Sequence, residues 1–432
     1  MPYQTVKGTY DLLPDEMVKF NMLADLFRQF LNLYGYSEIK TPVFEYTGVF
    51  QKENDTSDMV TKEMYTFSPN GKDSLTLRPE GTAGVIRSFV ENKMYGNAEL
   101  PVKLGYIEEM FRHERPQKGR QRQFTQMGIE CIGDKDPLID AEIIALGYFY
   151  IRTLGLEGVK VLINTLGDNE SRLRYKKALS DYFRPYKDEL CTDCQNRLEK
   201  NPLRILDCKI DHENEIVKNA PKMELSDDSA KYFEKVKHYL DILAIPYEID
   251  DRLVRGLDYY TDTVFEVVST NEASGSQATI FGGGRYDNLV KEMGGPEISG
   301  IGFAIGVERL MILCEAEEIF DFKKAIDCYV INMCKTPDYA LSISEELRSN
   351  SFSTEMDYYG RSLKAQFKSS ERKNARFVLI IGEDEEKENT VTLKDTLNRA
   401  QETVKRDELV ERMDQLLEDY YGAPVSALNI DG

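Results

Sequence analysis

Two strands joined by a short basic loop, at residues 103–133, constrain this chain more than any other stretch. Side chains alternate between the two faces of a strand, so the returning strand presents mostly polar groups on one face and mostly apolar groups on the other. The first face holds Phe124, Gln126, Gly128 and Glu130, and the second holds Thr125, Met127, Ile129 and Cys131. An aromatic ring, an amide and a carboxylate beside an arginine-rich loop favour a site for a polyanion and a small amine or imidazole. The alternative is an amphipathic hairpin with a solvated polar face.

Length and composition favour a soluble globular protein. The chain has 432 residues, enough for two or three domains, with 41% hydrophobic and 30% charged residues. No apolar run approaches the roughly 20 residues of a membrane span. The N-terminal stretch lacks the basic and apolar regions of a secretion signal. We therefore expect a cytoplasmic protein with no membrane partner.

The net charge of −20 argues against a general nucleic-acid binder, but two basic islands interrupt the acidic background. The island at 112–122 contains Arg112, Arg115, Lys118, Arg120 and Arg122 against the single acid Glu114. The island at 361–376 contains Arg361, Lys364, Lys368, Arg372, Lys373 and Arg376 against Glu371. Together they could bind a polyanion at two points. Ordinary fluctuation of charge along the chain is the alternative, especially for the second island.

The cysteines offer a possible metal site. There are seven, widely scattered, and an odd number makes a disulfide framework improbable. Cys191, Cys194, Cys208 and His212 have the spacing C-x2-C-x13-C-x3-H, which could hold zinc. The alternative is three ordinary thiols in a helical segment, and stoichiometric metal analysis separates the two interpretations.

Periodicity predicts the elements around the hairpin. Apolar residues at spacings of three and four predict a helix over 14–34. Alternation at 75–79 predicts a strand that leads into a helix whose start carries Glu80 and Thr82. A further helix is predicted over about 138–154.

Changes in composition divide the rest of the chain. Residues 168–245 are polar and helical, and we interpret them as an insertion between two parts of one sheet. A linker at 321–325 precedes an α/β domain at 326–421, for which we expect a largely parallel sheet and a final helix over 403–421. Residues 422–432 are expected to form a mobile tail.

Common nucleotide-binding and hydrolytic motifs fit poorly. In GIGFAIG at 300–306 the third glycine falls one place late for a dinucleotide fingerprint, and FGGGRYDNLV at 281–290 lacks the lysine of a P-loop. No Ser/His/Asp arrangement and no HExxH sequence is present. The chain offers arginines and carboxylates instead, which promote displacement at phosphate through positioning and charge stabilisation.

Two further clusters of polar residues could bind a ligand or could have a purely structural role. The stretch 253–266 concentrates Arg255, Tyr259 and Tyr260, which can hydrogen bond to phosphate, carboxylate or imidazole, or can form a surface turn with packed tyrosines. Glu308 and Arg309 stand at a strand-to-helix junction, where such a pair is usually a structural ion pair.

Five motifs in order resemble those of the histidyl-tRNA synthetases, which are class II aminoacyl-tRNA synthetases, and the likeness covers essentially the whole chain. The stretches YGYSEIKTPVFEY, FRHERPQKGRQRQFTQMGIE and GIGFAIGVERL resemble the three class II motifs. The stretches LVRGLDYYTDTVFE and GGGRYD resemble the two histidine-specific motifs.

The resemblance implies an α+β fold, an antiparallel sheet of six or seven strands flanked by helices in a catalytic domain at 1–320. The insertion would contact the tRNA acceptor arm, and residues 326–421 would bind the anticodon. The family works as a homodimer, with the first class II motif at the interface. The implied partners are L-histidine, ATP and tRNA(His), and Mg²⁺ would accompany the pyrophosphate.

The resemblance also implies residue roles. The α-amino group of histidine would be held by Glu80, Thr82 and Gln126, next to Gly81, and the imidazole would be read by Glu130 and Tyr260, with Tyr259 and Tyr286 nearby. The ATP site would comprise Arg112, Glu114, Arg120, Phe124 and Arg309. Catalysis would rest on Arg112 and Arg255 at the α-phosphate, which would also contribute to histidine binding, and on Arg309 at the γ-phosphate. No residue is assigned as a ligand of a resident metal.

Two alternatives share this fold. One is the regulatory paralogue that binds a phosphoribosyltransferase in histidine biosynthesis, which usually lacks the anticodon domain and has degenerate catalytic motifs. The other is a non-catalytic RNA-binding or sensor module. Arg112, Arg255 and Arg309 are all present here and a further domain follows them, which favours the synthetase.

Overall fold

The computed structural model describes residues 3–51, 57, 59–97, 99–208, 210–211, 213–271, 279–320 and 325–421. The chain divides into two compact units, residues 1–320 and 321–432. Most of the predicted linker and all of the predicted tail therefore lie outside the described residues. No helix in the described ranges is long and apolar enough to cross a membrane.

Eleven strands lie in the first unit within the described ranges. They are β1 Ser37–Glu38, β2 Phe44–Tyr46, β3 Thr66–Phe67, β4 Leu75–Leu77, β5 Val102–Phe111, β6 Gln123–Gly133, β7 Val159–Thr165, β8 Tyr247–Ile249, β9 Thr261–Ser269, β10 Thr279–Tyr286 and β11 Ser299–Gly306. The helices are α1 Pro14–Leu33, α2 Thr82–Glu91, α3 Met94–Asn97, α4 Pro137–Thr153, α5 Asn169–Phe183, α6 Thr192–Lys200, α7 Glu215–Lys218, α8 Asp227–Ile242, α9 Leu289–Glu292 and α10 Val307–Ala316. Short 3₁₀ turns occupy Thr47–Val49, Arg184–Glu189 and Pro202–Ile205, and Met59–Glu63 forms a π-helical turn.

The main sheet has the strand order β1-β5-β6-β11-β10-β9-β7-β8. Its six central strands pair antiparallel throughout, as the resemblance implies. Two very short strands, β1 and β8, add in parallel at the two edges and bring the total to eight. A separate small sheet has the order β2-β4-β3. The central antiparallel strands position the site described below.

One face of the main sheet is covered by α1, α4, α8 and α10, which share its apolar core. Helix α1 follows its predicted periodicity, because Leu23, Phe27, Phe30 and Leu31 are buried on one side. Helix α4 is capped by Asp136, whose carboxylate accepts the N–H of Leu138 at 2.7 Å. The other face is covered by α2 and α9 around β5, and next to them the sheet bears an open cleft.

The helices of the predicted insertion at 168–245 pack into two different hydrophobic cores. Helices α5 and α6 pack around their own apolar cluster, which includes Leu179, Leu198 and Leu203. Helix α8 instead packs on α4, and Phe233 and Val236 belong to the main core. The last part of the predicted insertion therefore covers the sheet.

The second unit has a five-stranded sheet with the order β13-β12-β14-β15-β16. Its strands are β12 Cys328–Asn332, β13 Thr354–Met356, β14 Phe377–Ile381, β15 Thr390–Asp395 and β16 Gln401–Lys405. Its helices are α11 Asp338–Ser349, α12 Leu363–Arg372, α13 Glu383–Glu388 and α14 Leu409–Tyr421, with a 3₁₀ turn at Arg406–Glu408.

The expectation of a largely parallel sheet is wrong for two of the four strand pairings in this unit. Strand β12 pairs in parallel with β13 and β14, whereas β15 pairs antiparallel with β14 and with β16. The short connection between β15 and β16 permits only a hairpin, since parallel neighbours need a long crossover. The final helix predicted over 403–421 begins at Leu409, because residues 401–405 pair as a strand.

Candidate active site

The floor of the cleft is the polar face of β6. In the register with β11, Gln126 lies opposite Gly306 and Glu130 opposite Gly302. The apolar face points the other way, since Met127, Ile129 and Cys131 belong to the main core. The apolar face of β6 therefore lies in the core and its polar face at the cleft, as predicted, so the polar face is not a solvated surface.

Glycines shape the floor because neighbouring side chains occupy the space of a Cβ atom. A Cβ at Gly302 would lie 2.1 Å from Glu130 Oε2, and one at Gly128 would lie 2.3 Å from the ring of Tyr106. A Cβ at Gly282 would lie 2.6 Å from Nη1 of Arg255. Distances this short are not tolerated, so these positions admit functional side chains only because they lack their own.

Two buried carboxylates stand at one end of the cleft. Glu80 accepts the backbone N–H groups of Thr82 at 2.7 Å and Ala83 at 2.8 Å, which fixes it at the start of α2. Glu130 accepts the hydroxyl of Thr82 at 2.6 Å and that of Tyr286 at 2.5 Å. Burial raises the pKa of both carboxyl groups, that of Glu130 to about 8. A cationic or hydrogen-bond-donating group bound at this end of the cleft would in turn favour the ionised form of these carboxyl groups.

The pKa of Glu130 predicts that stability falls as pH rises. An unfolded glutamate has a pKa of about 4.3, whereas the pKa of Glu130 in the folded chain is about 8. Between these values the folded chain binds the proton more tightly, so the free energy of unfolding decreases with pH. We expect the melting temperature of the ligand-free protein to fall more steeply across this interval than that of Glu130→Gln. Thermal unfolding at both ends of the interval measures the difference, and equal slopes would contradict the assignment.

An amide on the same face lacks a partner. The side-chain oxygen Oε1 of Gln126 is buried and has no hydrogen-bond partner within the described ranges. A buried unpaired acceptor costs free energy, roughly 1–3 kcal/mol. A donor such as an ammonium group bound in the cleft would satisfy it.

Three arginines line the other end. Arg112 donates from Nε to the Pro79 carbonyl at 2.7 Å, and Arg309 donates to the carbonyls of Gly119 at 3.2 Å and Thr279 at 3.3 Å. Arg255 Nη1 pairs with Glu266. The pKa of Arg309 lies below its ordinary value because the side chain is buried and because the charge of Arg120 opposes its own. Such crowded cations favour a bound polyanion.

Aromatic rings complete the cleft. The Arg112 guanidinium lies 5.2 Å from the centre of the Phe124 ring. Tyr259 and Tyr260 have ring centres 4.7 Å apart, and Tyr259 meets Tyr286 edge to face at 5.9 Å. A flat heterocycle bound in the cleft can therefore stack on an aromatic side chain.

The structure brings most of the predicted residues into one cleft. Those that line it are Glu80, Thr82, Arg112, Glu114, Arg120, Phe124, Gln126, Arg255, Tyr259, Tyr260 and Arg309. Three others stand behind the wall, where Gly81 abuts Tyr106, and Glu130 and Tyr286 bond to each other.

Other residues in or behind this wall were not predicted. Tyr106 stands between Gly81 and Gly128, and Glu266 holds Arg255. The alternation of β5 could have found Tyr106, but only once the register with β6 was known. The ion-pair interpretation of Glu308 and Arg309 is wrong, because Glu308 accepts the N–H of Thr125 at 2.8 Å while Arg309 bonds to carbonyls.

The cysteine cluster forms outside the cleft. Cys191, Cys194 and Cys208 come together with Asp211 within the insertion. His212, the fourth ligand suggested by the spacing, lies outside the described residues.

Known proteins resemble this chain over nearly its full length. Among curated relatives, histidine–tRNA ligase of Listeria monocytogenes serotype 4b (strain F2365) is 48% identical over 96% of this chain and 98% of that protein. The ligase of Bacillus subtilis (strain 168) is also 48% identical, over 96% and 99%. The crystal structure of apo S. aureus histidyl-tRNA synthetase has a TM-score of 0.81 and 39% identity, and covers 95% of this chain and 99% of that one.

Family models agree with these likenesses. The model described as "Anticodon binding domain" matches residues 327–416. The model described as "Histidyl-tRNA synthetase" matches residues 8–310, well over half of the chain. With its antiparallel sheet, its cleft of carboxylates and arginines and its full-length relatives, the chain belongs to the histidyl-tRNA synthetase family.

Proposed function

We propose that this chain is a histidine–tRNA ligase, which activates L-histidine with ATP and transfers the histidyl group to the 3′ adenosine of tRNA(His). The observation that carries the proposal is a single cleft with buried carboxylates at one end and three arginines at the other. Such a cleft accommodates a cationic amino acid and a triphosphate side by side. Curated histidine–tRNA ligases that match nearly the whole chain support the same activity.

The amino acid lies at the carboxylate end. Each oxygen of Glu80 accepts one backbone N–H and keeps a lone pair for the α-ammonium group. The unpaired oxygen of Gln126 accepts a second ammonium proton. The imidazole faces Glu130 and Tyr260, with Tyr259 and Tyr286 beside it. An imidazole has two ring nitrogens, so an acceptor and a second polar partner distinguish it from other rings.

ATP lies at the arginine end. Adenine stacks on Phe124, with Glu114 at its edge and Arg120 beside Glu114, whose carboxylate is 3.4 Å from Nη1 of Arg120. Arg112 and Arg255 approach the α-phosphate from two sides. Arg309 binds the γ-phosphate.

Adenylate formation is a displacement at phosphorus. The histidine carboxylate oxygen attacks the α-phosphorus, and the bond from that phosphorus to the bridging oxygen breaks, which releases pyrophosphate. Negative charge accumulates on the leaving group and on the α-phosphate, where Arg112, Arg255 and Arg309 stabilise it. In the second step a hydroxyl of the terminal adenosine attacks the histidyl carbonyl carbon, and AMP leaves.

Mg²⁺ belongs with the phosphates of ATP rather than in a carboxylate cage. The acidic groups near the arginines are engaged, since Glu266 pairs with Arg255 and accepts the hydroxyl of Thr279 at 2.9 Å, and Glu308 accepts a backbone N–H. Mg²⁺ usually keeps several waters and binds through substrate phosphates. Its contribution would be to neutralise charge on the pyrophosphate.

We also propose the family's assembly and division of labour for this chain. It acts in the cytoplasm as a homodimer, with residues 1–320 as the catalytic domain, the insertion on the acceptor arm and residues 326–421 on the anticodon. The small sheet supports a dimer interface near the first motif, because it exposes Phe44, Tyr46 and Phe67. Phe44 and Phe67 contact each other there, with ring centres 6.2 Å apart.

A strip of exposed cations on α12 gives a test of tRNA contact. Lys364, Lys368 and Arg372 recur every fourth residue, so they share one face of the helix. We expect Lys364→Glu/Lys368→Glu to lower kcat/KM for aminoacylation by about tenfold or more, with a weaker salt dependence, because phosphate contacts are lost. ATP–pyrophosphate exchange should stay unchanged. Lys387→Glu on α13 serves as control, and equal effects of both variants on aminoacylation would contradict the strip's role.

Histidine-dependent ATP–pyrophosphate exchange, followed by aminoacylation of tRNA(His), tests the activity itself. The synthetase performs both reactions. The regulatory paralogue and a non-catalytic RNA-binding module perform neither. Absence of exchange with histidine in folded protein would refute the proposal.

A further inference from the structure

The insertion brings three thiols and one carboxylate to a single point. The ligand atoms of Cys191, Cys194, Cys208 and Asp211 all lie within 4.8 Å of one another. Cys194, Cys208 and Asp211 are buried, and Cys191 is partly buried. The resulting pattern is C-x2-C-x13-C-x2-D, two pairs with the same short spacing, which resembles the paired C-x2-C arrangement of zinc sites with an aspartate in the fourth place.

A backbone contact orders the second pair. Cys191 of the first pair stands at the start of α6. In the second pair the N–H of Asp211 donates to Sγ of Cys208 at 3.5 Å. This contact holds Asp211 beside Cys208, and its carboxylate lies against the other two thiols.

The distances suit a tetrahedral ion better than a disulfide. Cys191 Sγ and Cys208 Sγ are 3.6 Å apart. Two thiolates on one Zn²⁺ at about 2.3 Å each would be about 3.8 Å apart, whereas a disulfide requires about 2.05 Å. The Asp211 carboxylate accepts the N–H of Cys191 at 3.0 Å and is 6% exposed. A buried carboxylate is costly without a cation, and a metal ion would supply the charge.

We propose that Cys191, Cys194, Cys208 and Asp211 bind one structural Zn²⁺. The ion fastens the start of α6 to the segment 208–211 and closes a loop that contains Asn201 and Arg204. Arg204 donates from Nη1 to the carbonyl of Arg255 at 2.6 Å, and Asn201 donates to the carboxylate of Asp258 at 2.8 Å. The zinc site therefore also positions the backbone that carries Arg255.

Metal analysis of the full-length protein tests the site directly. Emission spectroscopy should find one zinc per chain. Cys194→Ser and Cys208→Ser should lose it, whereas Cys334→Ser, a partly buried cysteine in the second unit, should retain it. Co²⁺ in place of zinc should give the visible absorption of tetrahedral thiolate coordination. Protein without stoichiometric zinc, or with a Cys191–Cys208 disulfide by mass spectrometry, would overturn the proposal even if a serine variant fails to fold.

Two further variants identify the fourth ligand. Asp211→Asn should release zinc to a chelator faster than the unsubstituted protein, and His212→Gln should not. The reverse result would overturn the assignment of the carboxylate. Zinc-free protein should also lose at least about tenfold in adenylate formation, because a misplaced arginine loses its effect on the transition state. Unchanged adenylate formation would show that the zinc site does not position Arg255. The zinc content is a separate measurement, and its result does not depend on the proposed function.

Discussion

Replacing Arg255 with alanine is expected to slow adenylate formation by about 10²–10³-fold, because one charged donor to the developing phosphate charge is lost. The side chain is 19% exposed, and its Nη1 is fixed by Glu266. Its Nε is buried without a partner in the described part of the chain. Gly282 gives it room, because a Cβ there would collide with Nη1. The guanidinium is therefore oriented before substrate arrives.

Stability has to be separated from chemistry in this experiment. Arg255→Ala leaves the partly buried carboxylate of Glu266 without its cation, which is expected to destabilise the folded protein. The double variant Arg255→Ala/Glu266→Gln removes this charge and should melt closer to the unsubstituted protein. Arg174→Ala, on the exposed face of α5, serves as the matched control. Near-normal exchange in the folded double variant would remove Arg255 from the mechanism.

Replacing Glu130 with glutamine is expected to raise the KM for histidine by about 10²-fold or more, because a site built around hydrogen bonds fails when one partner is wrong. The isosteric amide preserves shape, so Thr82 and Tyr286 keep their positions. The amide nevertheless presents an NH₂ group where the carboxylate accepts hydrogen bonds. The KM for ATP should change little, because the arginines are untouched.

A matched control and a kinetic measurement separate the loss of this hydrogen bond from a general disturbance of the cleft. Glu248→Gln, at an exposed glutamate of β8, serves as control. Initial rates of exchange over a range of histidine and ATP concentrations separate the two KM values. Equal rises in both would show that the cleft as a whole is disturbed.

Sequence patterns could predict the sides of the hairpin because alternation is local. Met127 faces the core and Gln126 faces the cleft as the period of two requires. A local pattern does not show which strands pair with β6. The contact between Glu130 and Gly302 and the position of Tyr106 against Gly128 therefore became visible only with the register of the folded sheet. Long-range pairing depends on the closure of many intervening residues, which no short pattern encodes.

The wrong start of the final helix has a tertiary cause. The segment 401–405 has few apolar residues, but it pairs with β15 because that strand offers a free edge, and this tertiary contact outweighs local preference. The cysteine spacing also suggested His212 as a zinc ligand, and this prediction stays untested because His212 lies outside the described residues. The three cysteines of the same prediction do come together, with Asp211 beside them.

The glycine-built floor has a consequence for inhibition. A compound that rests on Tyr106 and Arg255 would touch side chains that lie directly against Gly128 and Gly282. Resistance usually arises when a larger residue blocks an inhibitor while the substrate still fits. Here even an alanine at Gly282 would displace Arg255, which we assign to the reaction. A drug directed at this surface should therefore leave few escape routes that preserve growth.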